Sequence, residues 1–480
     1  MLIRHTLLYL PAQILGPAIQ FFSILLWAYA LSPADVGVVT LVIAIQEMSF
    51  ALFFMWWSHY ALRFISGFSG DDRRRRFLAS ESAAVALCCL AQAALVTPAL
   101  RLIFPGAMTP ATLSVTVMFM LTRSLNTYMS ERARSEAHIG LYTLIQTAGP
   151  LFGVAFGFAL LFTLSRSPAS VFAGFAAVQS LSIAAAAFLS DFARVRPRLD
   201  REILAGAASF GFPVMAAQLL ALAALNAPRF VVERFLGLAA AGNFAVGYGL
   251  GLRASSVAVM LVTAGAYPLV VRKMELEGVE AAYRQLAKNI TLVALVVIPV
   301  AFGLLAVNRS VVDLLIPMAY RDATYLVLPL ATIGGMMRFL RAHTTDQVFL
   351  VRSRPIPVTA IAVIDLVLGV LSAVLGLHFY GMAGAAAGPM ISGFATFAAS
   401  LLTARFVLDF HLPLRMLAGV TAAAALMAVV VQVAPAGPGF VGLSLRIALG
   451  AALYGGAIVA LLPPARRIAL TAASRLWARA

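Results

Sequence analysis

Residues 356–379 read IPVTAIAVIDLVLGVLSAVLGLHF, an apolar run whose only formal charge is Asp365. A hydrocarbon core about 30 Å thick takes roughly 20 residues of α-helix, so this run is long enough to cross a bilayer. It lacks the period-2 alternation of a membrane β-strand. Backbone polar groups in lipid must be paired within the segment or within a closed barrel, which leaves the helix. Thirteen further runs have the same character, at roughly 12–31, 36–58, 77–100, 111–130, 140–164, 170–190, 208–228, 241–270, 289–307, 324–350, 382–406, 414–434 and 442–463. Composition agrees: 62% of residues are hydrophobic and 11% charged, against about 45–50% and about 25% in soluble domains. The expected fold is all-α, a polytopic membrane protein of about fourteen transmembrane helices.

The connections carry the charge. Of the 35 Lys and Arg residues, 27 lie on one side, including Arg73 to Arg76, Arg132, Arg134, Arg194 to Arg201 and Arg466 to Arg479. Seven (Arg101, Arg166, Arg229, Arg234, Arg309, Arg321 and Arg446) lie on the other, and Arg253 sits inside a span. The positive-inside rule then puts both termini in the cytoplasm, which an even number of spans satisfies. The net charge of +16 is spread over many short loops and forms no single face, so nucleic acid is not the expected partner. Arg4 and His5, an apolar run and Ala28-Tyr29-Ala30 imitate a cleavable signal. An uncleaved first helix is the expected reading, because cleavage would unbalance the repeat below. Cys88 and Cys89 are neighbours that point apart on a helix, and six scattered histidines make no metal set. No catalytic residue, cofactor or metal is expected.

The chain resembles itself. Pro11 opens the first span and Leu31-Ser-Pro-Ala-Asp-Val-Gly37 closes it; Pro213 opens the seventh and Leu236-Gly-Leu-Ala-Ala-Ala-Gly242 closes it. The offset of about 205 residues equals six spans, so the repeat is parallel, about an axis normal to the membrane. The expected organisation is a lobe at 1–200, a pseudo-symmetric lobe of six helices at 201–410, and two further helices with a basic tail at 411–480.

With Ser209-Phe-Gly-Phe-Pro213 and the stretch Arg229-Phe-Val-Val-Glu-Arg-Phe-Leu-Gly237 to Ala241-Gly-Asn-Phe-Ala-Val-Gly-Tyr248, these motifs resemble a known group. It is the polysaccharide-transporter branch (Wzx-type lipid-linked oligosaccharide flippases) of the multidrug/oligosaccharidyl-lipid/polysaccharide (MOP) flippase superfamily. The resemblance implies two six-helix lobes around a cavity that opens alternately to each side. The implied cargo is a polyprenyl-pyrophosphate-linked oligosaccharide moved from the cytoplasmic to the outer face of a bacterial inner membrane. A polysaccharide polymerase or export complex is an implied partner besides membrane lipid, and a monomer suffices. The position before Arg229, commonly acidic in that family, is Pro228 here. A multidrug or metabolite antiporter of the same fold and a lipid II flippase are the alternatives.

Such a cargo needs cations in a hydrated site and no nucleophile. Arg253, near the middle of the eighth span, costs about 2.5–3.5 kcal/mol on insertion scales and so needs water with an anion, or a carboxylate. Arg229 either meets substrate or pairs with Glu233 four residues on. Arg338 and Arg341 share a face of the tenth span. Arg63 and Arg123 end their helices on the basic side, where topology also explains them. Glu47, Asp346 and Asp365 are in-span carboxylates, read as sites of ion coupling or as counter-charges to the arginines. Pro11, Pro17, Pro213 and Pro228 are the expected kinks in the first and seventh helices.

Overall fold

The computed structural model describes residues 15–461 except 17, 20, 69, 137, 190–194, 264, 265, 436 and 438. Pro11 and Pro17 therefore lie outside the described residues. All regular structure among the described residues is helical: α1 (Phe21–Ala30), α2 (Pro33–Phe64), α3 (Asp71–Ile103), α4 (Pro110–Ser135), α5 (Ile139–Thr163), α6 (Pro168–Leu189), α7 (Arg201–Thr263) and α8 (Ala266–Glu277). There follow α9 (Val279–Ala306), α10 (Asn308–Leu315), α11 (Met318–His343), α12 (Thr345–Val351), α13 (Ile356–Leu408), α14 (Leu414–Val433) and α15 (Gly439–Leu461).

Ten helices among the described residues are long and apolar enough to cross a membrane. Two of these are broken by a left-handed glycine, α7 at Gly237 (φ 83°) and α13 at Gly381 (φ 58°). A positive φ of this kind suits residues without a Cβ. Each break turns one long element into two legs and two crossings. With α1 and the more polar α4, every one of the fourteen predicted spans has its helix.

Helix starts follow from local chemistry. The motif Ser32-Pro-Ala-Asp35 is an N-terminal signal: the Asp35 amide donates to Ser32 Oγ (3.3 Å) and Pro33 occupies a first-turn position. Thr109 and Pro110 do the same for α4, with the Thr112 amide donating to Thr109 Oγ1 at 3.2 Å. The tenth span is interrupted near its end. The helix stops at Thr344 (φ −127°, ψ −86°) and restarts as α12. The Thr344 hydroxyl bonds the carbonyl of Leu340, and that of Thr345 reaches Arg341, which loosens the helical ladder. Asp346 consequently lies in α12, the short last part of the same candidate span.

The chain forms two compact units, Met1–Ala245 and Val246–Ala480. In the first, Phe50, Phe54, Trp57, Tyr60, Phe77 and Tyr128 make a core between α2, α3 and α4. The first leg of α7 packs on α2: the rings of Trp56 and Phe212 stack at 5.3 Å, and a Cβ at Gly211 would lie 2.0 Å from the Trp56 carbonyl oxygen. The two repeated motifs also meet inside this unit. A Cβ at Gly37 would lie 2.2 Å from the Leu238 carbonyl oxygen, and one at Gly242 would lie 1.8 Å from that of Pro33.

In the second unit, small residues let helices approach. The legs of α13 fold back on each other at Gly376 and Gly384, where an added Cβ would lie 2.3 and 1.8 Å from the opposing carbonyl oxygen. The α5/α6 hairpin of the first unit uses the same device at Gly157 and Gly174. Val293, Val297, Met336, Val420 and Ala423 join α9, α11 and α14 in one core, so the helices after residue 410 pack directly on α9.

Candidate functional site

Within the second unit, four of the predicted residues come together. Arg338 and Arg341 stand one turn apart near the end of α11. Arg338 donates through Nε (3.0 Å) and Nη2 (2.8 Å) to the two carboxylate oxygens of Asp365 on α13. Arg341 donates through Nη1 to Asp365 (3.2 Å) and its Nε lies 3.3 Å from Asp346 Oδ2. Ser400, on the second leg of α13, donates to Asp346 at 2.8 Å, and Tyr248 is a further hydrogen-bond partner of Arg338. All four charged side chains are buried, none more than 9% exposed. Two cations meet two anions, so the cluster has no net charge, and it ties α7, α11, α12 and both legs of α13. Charges withdrawn from water persist only in such pairing. The Arg338 Nη1 group is buried without a hydrogen-bond partner.

The first unit holds a second buried network, which the sequence reading passed over. Glu81 on α3 is fully buried, receives a hydrogen bond from the Tyr128 hydroxyl and lies 3.1 Å from Arg132 Nε. Arg132 continues to Glu136 (3.3 Å), which also meets Arg74 (3.2 Å). Two sequence signals pointed here. Glu81 falls inside the predicted span 77–100, and Tyr128, Arg132 and Glu136 recur every fourth residue, the last of them capping the end of α4. Arg132 was read as an ordinary loop charge of the basic side. Each unit thus places a compensated arginine late in a long helix, α4 or α11. Glu81→Gln keeps the shape and removes the charge; the expected cost is about 2 kcal/mol, since Glu136 still faces Arg132. Thermal unfolding of the purified protein reads this, and an unchanged midpoint would remove Glu81 from the stabilising network.

Arg123, on α4, differs from these. Its Nε donates to the side-chain oxygen of Gln46 on α2 (2.9 Å), and its guanidinium lies 5.9 Å from the centre of the Phe119 ring. Gln46 and Gln92 both donate to Ser124 Oγ, at 3.1 and 2.9 Å, which makes a neutral polar cluster around it. Among the described residues Arg123 has no ion pair within 4 Å; Glu47, half-buried on α2, acts on it through charge alone.

The remaining predicted residues are separate. Arg63 is exposed in the last turn of α2, with its guanidinium 5.6 Å from the rings of Phe64 and Phe210. Arg229 is half-buried and donates to Asn226 at 2.9 Å. Arg253 is half-buried on the second leg of α7. Gly251 faces α11, where an added Cβ would lie 2.8 Å from Ala331 Cβ. Pro213 and Pro228 lie inside the first leg of α7, whose backbone stays helical up to Gly237.

Residues 26–324 match the family described as polysaccharide biosynthesis protein. Among solved structures, lipid II flippase MurJ in an inward closed conformation superposes with a TM-score of 0.76 at 13% identity, over 94% of this chain and 97% of that one. An inward-facing multidrug resistance MATE family transporter of the MOP superfamily gives 0.60 at 15% identity, over 84% and 98%. Its outward-facing counterpart gives 0.57 at 16% identity, over 84% and 94%. No curated protein matches in sequence.

Proposed function

Because the chain belongs to the polysaccharide biosynthesis protein family, a group of membrane transporters by fold, we propose that it is a flippase. Its cargo is a polyprenyl-pyrophosphate-linked oligosaccharide, moved by alternating access from the cytoplasmic to the outer face of a bacterial inner membrane. The halves of the cycle are the repeat-defined lobes 1–200 and 201–410. Both termini are cytoplasmic, a reading supported by the 27 basic residues on one side. The protein works as a monomer beside a polysaccharide polymerase or export complex, and transport involves no catalysis.

The observation that carries the anionic cargo is Arg123. Its hydrogen bond goes to a neutral amide, Gln46, so the charge of an in-span guanidinium is left for an anion. Arg338 and Arg341, by contrast, are matched by Asp365 and Asp346, which favours the charge-pairing role for those carboxylates over ion coupling. Arg229 and Arg253 are separate candidate contacts for the anion, each within its own unit, and Arg63 guides the headgroup on the cytoplasmic side. A hydrophobic-cation exporter would call for carboxylates at these positions. The likeness to MurJ over most of the chain favours lipid II as the second reading, since its cargo is anionic too.

Moving one charge through 100 mV is worth about 2.3 kcal/mol. A cargo with two negative charges that leaves its arginines behind gains roughly 4–5 kcal/mol on moving outward. The membrane potential then gives direction without an exchanged ion. Arg123→Gln and Arg253→Ala should each lower translocation in vesicles about tenfold or more, the loss expected for a charged hydrogen bond. Arg253→Lys should keep part of the rate. Normal transport by either neutral variant at normal abundance takes that arginine out of the anion site.

A further inference from the structure

The first unit has a cavity of about 620 Å³ outside both buried networks, where the end of α2 meets the starts of α3 and α7. Tyr60, Phe64 and Phe68 form its apolar wall; Arg73, Arg76 and Glu202 form its polar rim. The wall is held rigid by ring contacts, Tyr60 to Phe64 at 4.9 Å and Phe68 to Phe77 at 4.7 Å. Gly206 keeps the floor open, since an added Cβ would lie 3.3 Å from the Tyr60 hydroxyl.

The rim charges are unevenly matched. Arg76 donates through Nε to Asp200 at 2.8 Å and lies 3.8 Å from Glu202, so it takes both nearby carboxylates. The hydrogen bond from Arg76 holds the Asp200 carboxyl below its ordinary range, which keeps this pair ionised and in place. The Arg73 side chain, among the described residues, has neither an ion pair nor a hydrogen bond. An unmatched guanidinium therefore faces a cavity walled by three aromatic rings.

We propose that this cavity binds the phosphate group of an inner-leaflet lipid, with Arg73 as the principal contact and the aromatic wall holding the adjoining chain or sugar. Guanidinium forks match phosphate oxygens in charge and geometry, and the volume falls within the usual range for small-molecule sites. Two lipids carry this chemistry: the prenyl pyrophosphate end of a cargo waiting for translocation, and an anionic glycerophospholipid. The placement at the inner leaflet rests on the orientation proposed above; the phosphate chemistry does not.

The test uses the full chain, purified in a zwitterionic detergent, with lipid binding counted by native mass spectrometry. The probes are farnesyl pyrophosphate and dioleoyl phosphatidylglycerol. Arg73→Gln should weaken binding about tenfold, the loss of one charge-assisted contact. Arg75→Gln, which changes the same helix but does not line the cavity, should change it less than twofold. Arg73→Lys should retain part of the affinity and shows that the fold survives. Loss for farnesyl pyrophosphate alone assigns the site to cargo, loss for phosphatidylglycerol alone to a bulk phospholipid, and equal loss to their shared phosphate. Unchanged binding of both probes by Arg73→Gln overturns the proposal, as does an equal loss in Arg75→Gln. Failure of vesicle transport by the wild-type protein would sink the flippase reading and leave this binding result standing.

Discussion

Asp365→Ala is expected to lower the stability of the protein by about 3–5 kcal/mol, the cost of removing one partner from a buried ion cluster. Asp365 is 2% exposed and accepts hydrogen bonds from both Arg338 and Arg341. Without it, two guanidinium groups one helical turn apart are left with Asp346 as the remaining carboxylate of the cluster, and Arg338 loses both of its hydrogen bonds to Asp365. The second leg of α13 loses part of its anchorage as well, because Ser392 reaches the same arginine at 3.5 Å. Unfolding of the detergent-purified protein by heat or denaturant measures this. The double variant Arg338→Leu, Asp365→Leu should be less destabilised than Asp365→Ala alone, since it removes the uncompensated charge. If Asp365→Ala unfolds within about 1 kcal/mol of the wild type, the cluster does not hold the second unit together.

Gly242→Val should prevent normal accumulation of the protein, with a cost of about 3 kcal/mol, at or beyond the upper end of ordinary overpacking. The Cβ of any replacement would lie 1.8 Å from the Pro33 carbonyl oxygen and 2.8 Å from the Gly37 nitrogen. Both are backbone atoms in the first turns of α2, where Ser32 and Pro33 set the chain direction, so no side chain can swing aside. Gly242→Ala should already be harmful. Gly140→Ala is the control: nothing lies within 4 Å of an added Cβ there, and a helix gains slightly from the exchange. Fluorescence-detected size exclusion of tagged variants reads the difference. Equal yields for Gly242→Val and Gly140→Ala would show that the contact between the repeated motifs is not tight.

The membrane fold was legible because it depends on length and polarity alone. Even the breaks were visible, since Gly237 and Gly381 fall between adjacent predicted spans. Pairing was harder to read. Arg338 and Asp365 were each singled out, yet their contact depends on helix rotation and on the stop at Thr344, neither of which apolar periodicity records. Asp346 does fall in the tenth span, but the break at Thr344 that sets its direction left no trace in the apolar pattern. Arg132 was hidden by its location, because a basic residue on the basic side already has an explanation in topology. Its spacing from Tyr128 and Glu136, and the neglected Glu81 inside a span, were the available signals. Arg123 shows the converse: position alone gave it no distinction, and its pairing with the neutral amide of Gln46 is legible only in the structure.

The most direct test is translocation itself. The purified protein is reconstituted into phosphatidylcholine vesicles with a fluorescent short-chain prenyl-pyrophosphate-linked disaccharide, and reagent access to the headgroup is followed on one leaflet. The flippase reading predicts protein-dependent movement, faster when the potential drives negative charge across and about tenfold or more slower in Arg123→Gln. No movement of this probe, together with protein-dependent uptake of a hydrophobic cation in the same vesicles, would contradict it.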